Sequence, residues 1–323
     1  MSKTLRIVVI VLVGIVVLLI AAYAAMGAVI YDQLTDAEGS CDEHLANAPD
    51  HFVLHPDWPP FELSPYFMPD YEVVRFPSRE RGIEIAGWWI SGDADAPVVI
   101  LVDGLGGCKN SIAVLVPGGM LWRNGFNVLL IDLRDTGDST FEDGRSAIGN
   151  EEYRDVLGAW DWLVDVQGVA SERVGLFANS LGGATALYAF SEEPRVAALF
   201  LQSTFGNLQQ IIAAELERND YPAFLAPAAI AMGRVVGGDN LVAHDPISAI
   251  QQAGARPVYI VHSRADTRIA VEQSQQLAAA AEGAGVDLVT WFPEQSEHVQ
   301  TPAVYADEFE QRLVGFFQGA LGR

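Results

Sequence analysis

The sequence predicts an α/β protein whose mainly parallel sheet has eight strands and helices on both faces. Two observations carry this. Short apolar, strand-like runs alternate with longer runs of helical period, the pattern of a sheet built by crossover connections. The strand candidates also tend to be continuous apolar runs, as buried parallel strands are. A third observation is the chain outside this alternation: a long apolar N-terminal run, a Pro-rich acidic stretch, and one Ala/Leu/Ile-rich interval.

In chain order, strands are expected at Glu72–Pro77, Ile83–Ser91, Val98–Val102, Val128–Leu133, Arg173–Ala178, Ala197–Gln202, Val258–His262 and Asp287–Phe292. Helices are expected at Ser111–Asn124, Glu151–Val166, Leu181–Ser191, Val271–Gly283 and Val304–Leu321. Within the second, Val156, Leu157, Trp160 and Leu163 recur at helical spacing and read as core. Residues 205–255 break the alternation, and with Pro222, Pro227 and Gly233 they read as a helical cap insertion. Residues 71–323 thus form one large α/β domain, 32–70 a spacer, and 1–31 a separate N-terminal element.

That element is an uncharged apolar run from Ile7 to Tyr31. Its length of about 25 residues gives ~37 Å of helix, against the roughly 30 Å of a bilayer's hydrocarbon core. Lys3 and Arg6 precede it, and Asp32, Asp36 and Glu38 follow. Positive charge stays inside, so a single-pass cell-membrane anchor is expected, with a cytoplasmic N-terminus and an external catalytic domain. The rival is a cleaved signal peptide, for which Ala22-Tyr-Ala24 offers a small-residue site. The apolar run continues past that site to Ile30, which favours the anchor.

The richest stretch is Phe177-Ala-Asn-Ser-Leu-Gly-Gly183. The apolar run Arg173–Phe177 leads to Ser180, small residues flank the serine, and a helical run follows. This is the strand–turn–helix setting of a nucleophile elbow, with Ala178 in the first glycine position of G-x-S-x-G. A serine at so sharp a turn brings strand and helix close together, which calls for Gly182 and Gly183 beside it. Serine is a weak nucleophile and needs a base within reach. Asp266, after the strand ending at His262, and His298, after the last strand, follow in the order the elbow requires. Ser180 is read as nucleophile, His298 as base and then acid, and Asp266 as the group that orients the imidazole. His262 is read as a brace for the acid loop.

An oxyanion hole needs two donors. They are assigned to the backbone N–H groups of Leu181 and of Leu105, the latter in Asp103-Gly-Leu-Gly-Gly-Cys-Lys109, where Gly104 permits close approach.

On these residues the chain resembles the α/β-hydrolase superfamily. It looks most like membrane-anchored bacterial serine hydrolases with esterase and prolyl-oligopeptidase-like relatives. The likeness runs from about Tyr71 to the C-terminus and includes Ile83–Trp89 and Gly125–Ser139. Two positions depart from the family pattern. Asp103 stands where relatives have His, and it is expected to point away and brace neighbouring N–H groups. Asp135 stands where they have Gly, and it is read as altering a surface turn.

The resemblance implies hydrolysis of carboxylic esters through an acyl-enzyme, with a small-molecule or lipid-like acyl substrate. Thioester, amide and peptide bonds remain alternatives, as does an inactive fold used for binding at the membrane surface. No cofactor or metal is expected. A net charge of −23, with Lys3 and Lys109 the only lysines, argues against nucleic-acid partners. Cys41 and Cys108 are the only cysteines. They could pair in an oxidising compartment, but their separation gives no geometric support.

Overall fold

The structure, a computed structural model, describes residues 2–37, 41, 46–93 and 95–322. The chain forms two compact units, Met1–Asp36 with Leu208–Ala243, and Ala37–Asn207 with His244–Arg323.

The larger unit holds the sheet: β1 (Glu72–Pro77), β2 (Glu84–Ile90), β3 (Val98–Val102), β4 (Asn127–Ile131), β5 (Val174–Asn179), β6 (Ala198–Gln202), β7 (Pro257–Val261) and β8 (Asp287–Trp291). Their order is β1-β2-β4-β3-β5-β6-β7-β8. The β1–β2 and β2–β4 pairs are antiparallel and the remaining pairs parallel. Strands β3, β5 and β6 are buried along their whole length, as their unbroken apolar sequences require. Edge strand β8 is largely exposed.

Ten α-helices are described. α1 (Lys3–Thr35), α5 (Leu208–Arg218) and α6 (Ala226–Met232) belong to the smaller unit. The larger unit contains α2 (Ile112–Arg123), α3 (Tyr153–Asp161), α4 (Ser180–Glu192), α7 (Pro246–Gln251), α8 (Glu272–Ala284), α9 (Thr301–Val304) and α10 (Ala306–Leu321). α2 packs with α10, while α3, α4, α7 and α8 pack in succession, so the sheet is covered by two helical layers. Ser111 caps α2 by accepting from the Ala113 N–H. The stretch expected to be one helix from Glu151 to Val166 is α-helical only to Asp161 and continues as a π-helical turn, Trp162–Val166. Its apolar stripe is core all the same, with Val156, Trp160 and Leu163 fully buried.

Residues preceding the sheet pack on this core. Phe52, Leu63, Tyr66 and Met68 join the cluster formed by α2, α10 and the sheet. The structure pairs Cys41 with Cys108, with Cα atoms 5.6 Å apart.

In the smaller unit, α1 is long and apolar enough to cross a membrane. Its N-terminal two-thirds is exposed, whereas Gly27, Ile30, Tyr31 and Thr35 are buried. The buried part packs on α6. A Cβ on Gly27 would lie 2.7 Å from the Cβ of Ala228.

Candidate active site

The site is assembled at the carboxyl ends of the parallel strands, where open α/β sheets present their ligands. β5 delivers Ser180 at φ 51°, in the left-handed region. A non-glycine residue there is strained, and such strain persists only when the surroundings fix it. They do so here. Thr204, at the end of β6, donates from Oγ1 to the Ser180 carbonyl at 2.9 Å. Gly183 leaves room for it, because a Cβ there would sit 2.6 Å from Thr204 Oγ1. A Cβ on Gly182 would overlap the Asp103 carbonyl oxygen, and one on Gly104 would lie 2.8 Å from Ser180 Cβ. These two glycines therefore let the loop after β3 lie directly on the elbow.

Ser180 and His298 are 118 residues apart in sequence, yet His298 Nε2 is 2.9 Å from Ser180 Oγ. The other ring nitrogen, Nδ1, is 2.8 Å from Asp266 Oδ2. With Asp266 ionised, Nδ1 donates to it, and Nε2 is left to accept from the serine hydroxyl. Ser180, Asp266 and His298 are thus one hydrogen-bonded chain. The His298 side chain is 14% exposed and that of Asp266 fully buried.

Burial alone would raise the pKa of Asp266. Hydrogen bonds from His262 and His298 outweigh it and hold the carboxyl well below the ordinary carboxylate value. Oδ1 also accepts from the backbone N–H groups of Arg268 and Ile269, each at 2.9 Å. His262 braces this loop from inside the protein. Its Nε2 faces the Ile269 carbonyl at 2.8 Å and Asp266 Oδ2 at 3.1 Å, and its Nδ1 meets Ser274 Oγ at 2.7 Å. The His298 loop is held by Gln202 Nε2, which donates to the Val299 carbonyl at 2.9 Å. Thr267 Oγ1 donates to Glu297 at 2.7 Å and joins the two loops.

Leu181 opens the first turn of α4, whose N–H groups have no intrahelical partners. Leu105 lies in the turn closed by Gly107 N–H donating to the Gly104 carbonyl at 3.1 Å. The Asp103 side chain folds back on its own loop. Its Oδ1 accepts from the Gly104 N–H at 2.8 Å, and its other oxygen occupies the space a Cβ on Gly107 would need. The loop is fixed further along. The Cys41 N–H donates to the Gly106 carbonyl at 3.2 Å, Cys108 is bonded to Cys41, and Lys109 pairs with Asp132 and, at 2.6 Å, with Asp138.

Asp135 does not form a surface turn, contrary to its reading from sequence. It is 4% exposed, has φ 60°, and its Oδ1 accepts from the N–H groups of Glu142, Asp143 and Gly144. This backbone lies in the left-handed region, which glycine adopts most readily. Thr204, Gln202 and Ser274 were not singled out from sequence. Thr204 and Gln202 had a usable signal, because they end the strand beside the elbow strand.

Residues 119–323 match the family model described as prolyl oligopeptidase family. The chain belongs to that family. This prolyl oligopeptidase-family chain is 26% identical over 137 residues to an uncharacterized 31.7 kDa Escherichia coli protein of the traX-finO intergenic region. That match covers 42% of this chain and 46% of the relative, so the chain matches about half the length of that protein. It is 28% identical over 126 residues to the thiohydrolase aneE of Aspergillus aculeatus, covering 39% of each chain. Among solved structures it resembles the Pyrococcus furiosus esterase Pf2001, with TM-score 0.66 and 21% identity over 84% of this chain and 99% of that one. It also resembles the Pyrococcus horikoshii acylaminoacyl peptidase, with TM-score 0.59 and 16% identity over 78% of this chain and 42% of the peptidase. At these identities the structural likeness establishes the fold, that of the α/β-hydrolases. Family and fold together place the chain among the α/β-hydrolases.

Proposed function

We propose that this chain hydrolyses carboxylic esters through an acyl-enzyme, at the outer face of a membrane that α1 crosses. The observation that carries the reading is the continuous hydrogen-bonded chain from Ser180 Oγ through His298 to Asp266. Ser180 attacks the carbonyl carbon while His298 Nε2 takes its proton. The imidazolium is stabilised by Asp266 and then protonates the leaving alkoxide. Water, activated by the same histidine, attacks the acyl carbon and releases the acid. The backbone N–H groups of Leu105 and Leu181 receive the oxyanion, and Asp103, bonded within its own loop, leaves that space to the substrate.

The anchor is uncleaved, with Lys3 and Arg6 on the cytoplasmic side. The Cys41–Cys108 bridge supports this orientation, since disulfides persist in oxidising compartments. The likeness to a thiohydrolase favours thioesters as the second substrate class.

The test is labelling of the full chain with a fluorophosphonate, beside Ser180→Ala, followed by release of p-nitrophenol from acyl esters of graded length. Labelling and turnover lost together in the variant are expected. A folded wild-type protein that neither labels nor turns over ester or thioester would refute the reading and favour a binding role.

A further inference from the structure

α1 and α6 lie side by side and run in the same direction, and three contacts set their register. Tyr23 Oη donates to the Phe224 carbonyl at 2.8 Å, and the two rings stack 6.3 Å apart. One turn on, Gly27 meets Ala228. A further turn on, Tyr31 packs beside Gly233 and its hydroxyl bonds Asp239. The start of the 223–232 helical segment therefore points toward the exposed apolar end of α1, and its finish toward Asp32 and Asp36.

α1 also serves as a ruler. Tyr23 lies sixteen residues beyond Ile7, about 24 Å along the helix, which is less than the roughly 30 Å depth of the hydrocarbon core. Asp32 lies a further ~13 Å on, where a carboxylate can reach water. A membrane crossed by α1 thus has its outer boundary between Tyr23 and Asp32, and Phe224 is held at the level of Tyr23.

Phe224 is unsuited to water there. It is 67% exposed. Pro227, Ala231 and Val235 are also exposed and follow it at helical spacing, so one apolar stripe runs up the outside of the segment. Arg218, Asn219 and Asp220, all exposed, precede Tyr221 and Pro222. Such a polar run stays among headgroups, which limits insertion to the interfacial layer. Aromatic residues are enriched at that layer, and an apolar helical face settles about 5–10 Å into it.

We propose that the 221–235 segment is a second membrane contact. Its Phe224 end is inserted into the outer lipid leaflet beside α1, with Tyr23 and Phe224 forming one aromatic anchor at the lipid–water boundary. The partner is the bilayer that α1 crosses. The apolar surface of α1 continues onto Phe224 through the stacked pair, and no second protein is needed to cover it. This rests on the reading of α1 as an uncleaved membrane span.

The test uses the full chain in phosphatidylcholine vesicles, with single nitroxide labels at Leu12→Cys, Phe224→Cys and Val166→Cys. Val166 is 69% exposed and lies in the larger unit. Collisions with oxygen, which partitions into lipid, are compared with collisions with a water-soluble nickel chelate. The expected result is lipid-type accessibility at positions 12 and 224, with loss of nickel collisions at both, and water-type accessibility at 166. Lipid-type accessibility at 12 with water-type at 224 overturns the second contact and leaves the span intact. Water-type accessibility at 12 overturns the span and this inference with it. Pro227→Cys, on the same stripe, gives an independent reading if Phe224→Cys does not fold.

Discussion

His262 Nε2 lies 3.1 Å from Asp266 Oδ2, the same carboxylate oxygen that His298 Nδ1 approaches at 2.8 Å. One oxygen is shared by a buried histidine and a partly open one. The buried histidine is in turn tied to Ser274 on α8. His262 therefore fixes the direction in which Asp266 offers its charge.

Replacing His262 with Ala should slow turnover without removing the nucleophile. A hydrogen bond to a charged group contributes about 1.5–3 kcal/mol, which corresponds to a loss of about 10- to 100-fold in kcat. KM should change little. The readout that separates positioning from plain loss of fold is a fall in kcat with KM and melting temperature unchanged. A fall in kcat matched by a lowered melting temperature would leave His262 a purely structural role.

Gly182→Ala is a test of close approach. The added methyl overlaps the Asp103 carbonyl, a backbone atom that cannot swing aside. Separating the two loops misplaces the donor at Leu105. Loss of one such donor costs about 100- to 1,000-fold in rate, and fluorophosphonate labelling should slow in step. Ala178→Gly, which restores the common motif, should not slow labelling. Stopped-time labelling of both variants checks this.

The Cys41–Cys108 bridge joins positions separated by 67 residues. In the chain-entropy view, closing such a loop stabilises the fold by about 4 kcal/mol. Cys41→Ser with Cys108→Ser should lower the denaturant midpoint and raise the slope, because the unfolded chain without the bridge exposes more surface. Titrations with and without reductant should differ for the wild type and coincide for the double variant.

Glu193 predicts part of the acid sensitivity. Hydrogen bonds from Arg195 and Arg79 hold its pKa at about 2, against the ordinary 4.5. A carboxyl depressed on folding stabilises the native state above its unfolded pKa. That contribution fades as pH falls from about 4.5 toward 2. Glu193→Gln should be less stable than wild type at neutral pH, and the gap should narrow toward pH 2. Melting temperatures across that range check the sign.

Much of this was legible in the sequence. Strands β3, β5 and β6 are unbroken apolar runs that suit a buried parallel sheet, and the ends of all eight strands lie within a residue or two of expectation. That Ser180, Asp266 and His298 would lie together was readable because the elbow imposes both local small residues and a chain order. Gln202 and Thr204 were marked only by their place at the end of the strand beside the elbow strand, while Ser274 acts through a contact between distant segments that no local pattern marks. The left-handed backbone at Asp135 was hidden because aspartate, unlike glycine, does not advertise it. The pairing of α1 with α6 was also invisible. It depends on Gly27 facing Ala228, two small residues that are unremarkable in apolar helices.

His298 follows β8, which among the described residues is an edge strand paired with β7, and it is largely exposed along its length. Ser180, by contrast, follows β5 in the middle of the sheet. Structure at an edge opens at lower free energy than structure at the centre. Fraying at this margin would carry away His298 while Ser180 stayed in its strained turn. Heat or denaturant would then break the hydrogen bond between Ser180 and His298 before the sheet as a whole melted.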